Sequence, residues 1–162
     1  MSYAVYTTRG WILASSPSGE ASKSYSIYTE DFGLVTARAQ GVRKLDSKLR
    51  YNLDDFSFVT LSLVRGREFW RLTGAQREEL PKGGEAARAR VLSLVKRLVQ
   101  GEERNDSLFS SLGVLLGENG EELGALSAVL SALGYLDLSS LQGKSERERI
   151  MAINKALKET QL

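Results

Sequence analysis

The sequence predicts an α+β chain: a five-stranded antiparallel barrel over residues 1–80, then an α-helical bundle over 81–162. Three observations carry this. Before residue 80 the chain is rich in β-branched and aromatic residues, alternates with period two and carries turn signals at short intervals. Beyond it, leucines recur at helical spacing. Between the two, Pro81-Lys82-Gly83-Gly84 is a natural joint.

The strands follow in order. Tyr3 to Ala14 reads as the first, and Pro17-Ser18-Gly19 as the turn after it. Ser24 to Thr29 is the second, with Tyr25 and Ile27 on one face, closed by Glu30-Asp31-Phe32-Gly33. Leu34 to Val42 is the third: Val35, Ala37 and Ala39 point inward, Thr36, Arg38 and Gln40 outward. Phe56 to Val64 is the fourth. Its alternation slips by one between Phe58 and Val59, so Phe56/Phe58 and Val59/Leu61/Leu63 fall on one face only if a bulge lies there. Arg65-Gly66-Arg67-Glu68 is a tight turn, and Phe69 to Gln76 the fifth strand. Gly10 and Gly41, inside strand patterns, predict sharp bends or bulges.

The helices are written in a different period. Ala87, Val91, Leu94, Val95 and Leu98 share one helical face, with Gly101 as the stop. Asp106 is placed to cap a second helix striped by Leu108, Leu112, Leu115 and Leu116. Together with Phe109 these spread around more of the helix than one packed face needs, which means burial all round or a groove for a partner. Leu123, Leu126, Leu130 and Leu133 mark a third helix, closed by Gly134. Ser145 and Glu148 form a capping box before Ile150, Ile153 and Leu157.

Composition narrows the chemistry. In 162 residues there is no cysteine and no histidine. That removes disulfides, thiolate metal sites, cysteine nucleophiles, any Ser-His-Asp triad and the commonest general base. No phosphate-loop or dinucleotide fingerprint is present. The pairs Asp54-Asp55 and Glu121-Glu122 read as a turn and a helix N-terminus, where acids favour the helix dipole, and not as metal ligands. No catalytic residue, metal or cofactor is therefore assigned, and binding is favoured over catalysis. Apolar runs are far shorter than the ~20 residues of a membrane span, so a cytoplasmic location without membrane contact is the expectation.

Net charge is only +2, but its distribution is uneven. Residues 1–76 hold 10 Lys and Arg against 7 Asp and Glu, and the remainder holds 12 against 13. Arg38, Arg43, Lys44, Lys48 and Arg50 lie within thirteen residues opposed only by Asp46. Arg65, Arg67 and Arg71 form a second basic group, beside Trp70. A small barrel with clustered cations and aromatics is the outline of a single-strand nucleic-acid binder: cations neutralise phosphates, rings stack on bases. The plain alternative is a solvated loop with ordinary surface arginines. Tyr25, Tyr28, Phe56 and Phe58 read as barrel filling before stacking platforms.

The order of motifs resembles RecO, the bacterial recombination mediator family. The string runs Gly10-Trp11-Ile12-Leu13, Gly19-Glu20-Ala21, Tyr28-Thr29-Glu30-Asp31-Phe32-Gly33, Ala39-Gln40-Gly41-Val42-Arg43-Lys44 and Ser47-Lys48-Leu49-Arg50. Leu53, Phe56 and Arg65-Gly66-Arg67 complete it. The resemblance implies an OB-fold that binds single- and double-stranded DNA without sequence specificity, anneals complementary strands and helps load the recombinase. It implies RecR and single-strand-binding protein as partners, and phosphate contacts by Arg38, Arg43, Lys44, Lys48 and Arg50. Many family members carry a four-cysteine zinc site in the helical domain; this chain has no cysteine. Two rival readings stand beside it: an adaptor whose helical half recruits repair or replication partners, and an RNA-binding OB domain.

Overall fold

The computed structural model describes residues 3–40, 49, 52–117 and 122–161. Five strands precede four helices: β1 (Val5–Pro17), β2 (Lys23–Thr29), β3 (Gly33–Ala39), β4 (Phe58–Val64), β5 (Trp70–Arg77), α1 (Glu85–Leu98), α2 (Asp106–Ser111), α3 (Glu122–Ala132) and α4 (Glu146–Glu159). Two compact units result. One comprises Met1–Leu80 with Val99–Arg104, the other Pro81–Leu98 with Asn105–Leu162. Among the described residues no helix is long and apolar enough to cross a membrane.

The strands close into a barrel in the order β1-β2-β3-β5-β4. Four pairings are antiparallel, as expected, but β3 and β5 pair in parallel, so the barrel is mixed. An antiparallel reading follows from adjacent hairpins; the seam joins strands far apart in sequence, where no turn signal reports direction. β1 is long because it serves both neighbours. Its first half pairs with β4 and its second half with β2, and Gly10 and Trp11 pair with both. Both registers run through Gly10 without a bulge; the glycine serves close packing instead, since a Cβ there would lie 2.9 Å from Ile27 Cγ2 and 3.0 Å from the Tyr28 carbonyl oxygen. Gly41 lies outside the described residues.

The register with β1 runs through Phe58 and Val59 without a bulge. The extra residues are Leu13 in β1 and Thr73 in β5, each unpaired where the register shifts. Phe58 and Val59 are both buried because the strand has two covered faces. Val59 joins the barrel interior with Ile12, Tyr25, Ile27, Val35, Ala37, Leu61, Leu63, Trp70 and Leu72. Phe58, on the other face, packs its ring 4.8 Å from that of Trp11. Phe56 does not begin β4; it turns at φ 64° and its N–H donates to the Ile12 carbonyl at 2.7 Å.

The short segment Val99–Arg104 returns to the barrel after α1. The Leu34 N–H donates to the Gly101 carbonyl at 3.3 Å, and Arg104 pairs with Asp31 at 3.2 Å. Gly33, at φ +67°, lets the strap approach: a Cβ there would sit 2.3 Å from the Glu103 carbonyl oxygen. Gly101 thus does more than stop a helix that already ends at Leu98.

In the helical unit, α1 buries Val91, Leu92, Leu94 and Val95. The cap of α2 is Asn105, one residue before the expected Asp106; its Oδ1 accepts from Leu108 N–H at 3.0 Å. After Ser111 the chain tightens into a 3-10 turn, Leu112–Leu116. This tightening explains the spread of leucines: Leu108, Leu112 and Leu115 stay buried while Leu116 turns outward. Of the expected leucine stripe on α3, Leu130 is buried, with Ala125 and Val129 beside it; Leu123, Leu126 and Leu133 are half-buried. Gly134 closes it as expected, with Gly134 N–H on Ser131 and Tyr135 N–H on Leu130. Ser145 caps α4, whose Ile153 and Ala156 are buried while Ile150 is exposed. Arg90 on α1 and Glu122 on α3 form a two-bond ion pair, which holds the Glu122 carboxyl below its ordinary range.

Candidate nucleic-acid interface

The outward face of β2 and β3 is lined by short polar side chains. Ser24 lies opposite Arg38, and Ser26 opposite Thr36. Arg38 is half-buried in this otherwise low surface. Its guanidinium lies between the two turns that flank the face. Nη2 donates to the Ser18 carbonyl in the β1–β2 turn at 3.3 Å. Cζ sits 5.7 Å from the ring centroid of Phe69, in the β4–β5 turn. Gly19, at φ +81°, keeps the first turn close: a Cβ there would lie 3.4 Å from Nη2. Buried Nε has no hydrogen-bond partner among the described residues.

Across the parallel seam the register partner of Arg38 is Arg71, exposed on β5. No ion pair to either arginine exists among the described residues. Two like charges held opposite each other destabilise a sheet unless an anion comes between them. Arg67 is exposed in the preceding turn. Of the sequence candidates, β3 and β5 thus bring Arg38 and Arg71 to one register position, and Arg67 lies in the β4–β5 turn that leads into β5.

Arg65 is employed differently. It pairs with Glu102 of the strap at 3.1 Å and stacks 4.7 Å over Trp70. The same carboxylate accepts from Trp70 Nε1–H at 3.0 Å, so Arg65 helps hold the strap to the barrel. Arg43, Lys44, Lys48 and Arg50 lie outside the described residues. Two further cations near the barrel are also paired: Arg9 with Glu30 at 3.0 Å and Arg77 with Asp54 at 2.9 Å. The hydrogen bond to Glu30 raises the Arg9 guanidinium further above its ordinary value.

Of the four rings expected to fill the barrel, Tyr25 lies in the interior, Tyr28 and Phe58 are buried outside that cluster, and Phe56 is half-buried in its turn. Burial, then the nearby Asp55 and Asp54, pushes the Tyr25 hydroxyl up to about 12. Trp70 is core and packs with Phe32 and Tyr6. The ring at the basic face is Phe69, which is partly exposed and which sequence reasoning passed over as the start of a strand. Its position after a turn, between Arg67 and Arg71, was the available signal.

The helical unit offers an apolar cleft between α3 and α4, about 720 Å³ in volume, lined by Leu123, Ala128, Leu138, Leu141 and Ile153. Glu122, Glu146 and Arg149 stand around it.

Comparison with known proteins agrees with the geometry of the barrel. Residues 1–79 match the family model described as "Recombination protein O N terminal". DNA repair protein RecO of Rubrobacter xylanophilus is 40% identical over 73 residues, covering 45% of this chain and 29% of the relative. DNA repair protein RecO of Dehalococcoides mccartyi is 38% identical over 71 residues, covering 44% and 28%. That of Alkaliphilus metalliredigens is 27% identical over 145 residues, covering 83% of this chain and 58% of the relative. The matched stretch thus spans less than a third of the first two relatives and under two thirds of the third. With the match centred on the barrel that carries Arg38 and Arg71, the chain is RecO-like.

Proposed function

We propose that the chain is a non-catalytic DNA-binding protein of recombinational repair. It grips single- and double-stranded DNA through phosphates, without sequence specificity, and promotes strand annealing or recombinase loading. The observation that supports this is the pair Arg38–Arg71 on a low polar face, with no carboxylate to neutralise it among the described residues. A phosphate placed there relieves the repulsion between the two guanidiniums and releases condensed counterions. Arg67 extends the contact, and in this reading Arg43, Lys44, Lys48 and Arg50 continue it along the strand. Annealing follows from charge alone: a basic surface lowers repulsion between two backbones, and base pairing supplies the specificity.

The test is a salt titration of DNA binding. Counterion release predicts that log K falls with log salt by about 0.7 per contacted phosphate on single strands. Changing Arg43, Lys44, Lys48 and Arg50 together to Ala should weaken binding and flatten that slope in a folded protein. Unchanged affinity would place the contacts on the Arg38–Arg71 face alone. Competition between matched DNA and RNA strands decides between the two polymers.

The apolar cleft of the helical unit favours a second role as a partner-docking surface, in keeping with an adaptor reading. RecR and single-strand-binding protein are the first partners to test by direct binding, with the barrel's DNA affinity measured alongside.

A further inference from the structure

Phe69 is fixed in place by three neighbours. Gly66 allows the turn to fold tightly beneath it: a Cβ there would lie 2.2 Å from the Phe69 carbonyl oxygen. The next residue, Trp70, is anchored in the barrel interior. Arg38 lies over the ring itself, 5.7 Å from its centroid. The ring is nevertheless partly exposed, and the Arg38 that lies over it has the exposed Arg71 as its register partner.

We propose that Phe69 is a base-stacking platform that makes this interface prefer unpaired strands over duplex. The inference rests on the DNA-binding reading above and adds the residue that sets strand preference. In a duplex the base faces are stacked on one another, and a protein surface meets phosphates and base edges. A single strand offers free base faces, and an aromatic ring accepts any of them without reading sequence. Arg38 orients the ring from one side, so little ordering remains to be done on binding. Arg71, next in register to Arg38, is positioned to hold the phosphate of the stacked nucleotide. The ring carries no charge, so it contributes to strand preference and not to salt dependence.

The experiment compares the full-length wild type with Phe69→Leu and Phe69→Tyr. Fluorescence anisotropy is measured with a labelled oligothymidylate and a labelled hairpin duplex, over a series of salt concentrations. Leu fills the space without a π face; Tyr keeps the face. The expected result for Phe69→Leu is a loss of about 5- to 150-fold on the single strand. Duplex affinity should stay within about twofold and the salt slope should be unchanged, while Phe69→Tyr binds as the wild type does. Equal losses on both DNAs, a changed slope, or no loss would overturn the proposal. A wild type that binds neither DNA in a salt-dependent way would instead overturn the DNA-binding reading itself. Thermal melting of both variants shows whether the barrel is intact, and a misfolded Leu variant beside a normal Tyr variant would assign Phe69 a packing role and overturn the proposal.

Discussion

Arg38 on β3 and Arg71 on β5 are register partners across the one parallel seam described in the barrel. Both point away from an interior in which their neighbours Ala37 and Trp70 are buried side by side. Trp70 and Ala37 are buried at the seam within, while outside it two like charges share one register position with no ion pair among the described residues. In the proposed function a DNA phosphate supplies the countercharge that this pair lacks.

This arrangement makes stability and affinity move in opposite directions. Replacing Arg71 by Ala should leave the free protein as stable as the wild type or more so, by up to about 1 kcal/mol. The same change should weaken DNA binding and lower the single-strand salt slope by about 0.7. Chemical denaturation and a salt titration on one preparation check both.

Glu102 should behave in the reverse sense. Its carboxylate accepts from Trp70 Nε1–H and pairs with Arg65. Glu102→Ala leaves a buried indole donor unmatched, an expected loss of about 1–3 kcal/mol in denaturant unfolding. Arg65 is freed and a negative charge removed, so DNA affinity should hold or rise in the variant while it remains folded.

Gly33 tests how closely the strap meets the barrel. Gly33→Ala faces both a left-handed backbone and a Cβ 2.3 Å from the Glu103 carbonyl oxygen. Gly143→Ala faces only the first, at φ +75° with open space around it. The expected cost is about 1 kcal/mol at Gly143 and at least about 2 kcal/mol at Gly33. Equal losses in unfolding would contradict the close approach.

Tyr25 gives the barrel an alkaline limit. Its folded value of about 12 exceeds the ordinary 10, so the folded state favours the protonated hydroxyl. The stabilisation is fully present below pH 10 and is lost as pH rises from 10 through 12, by roughly 2 to 3 kcal/mol. Tyr25→Phe has no proton to lose. It should therefore unfold at higher pH than the wild type in a titration followed by circular dichroism.

Much of this fold was legible because it depends on local signals. Alternation through Val35, Ala37 and Ala39 placed Arg38 outward, and Gly19, Gly33 and Gly134 marked turns that the structure contains. What was not legible depends on chain segments far apart in sequence. The parallel β3–β5 pairing joins residues 38 and 71, so nothing in either strand announces that the two arginines meet. The same holds for the return of Glu102 to Trp70, which removes Arg65 from the free basic surface. Periodicity left the slip at Phe58 and Val59 open because both are buried, and alternation assumes one covered face. On α3 an apolar sequence on every side left the core face undetermined until Ala125 and Val129 were seen to fill it.

The most direct test is the affinity of Arg38→Ala/Arg71→Ala for a labelled single strand, measured beside the wild type across a salt series. If these two guanidiniums hold phosphates, the double variant stays folded, binds more weakly and shows a log–log salt slope shallower by about 1.4. A folded double variant with the wild-type affinity and slope would contradict the account.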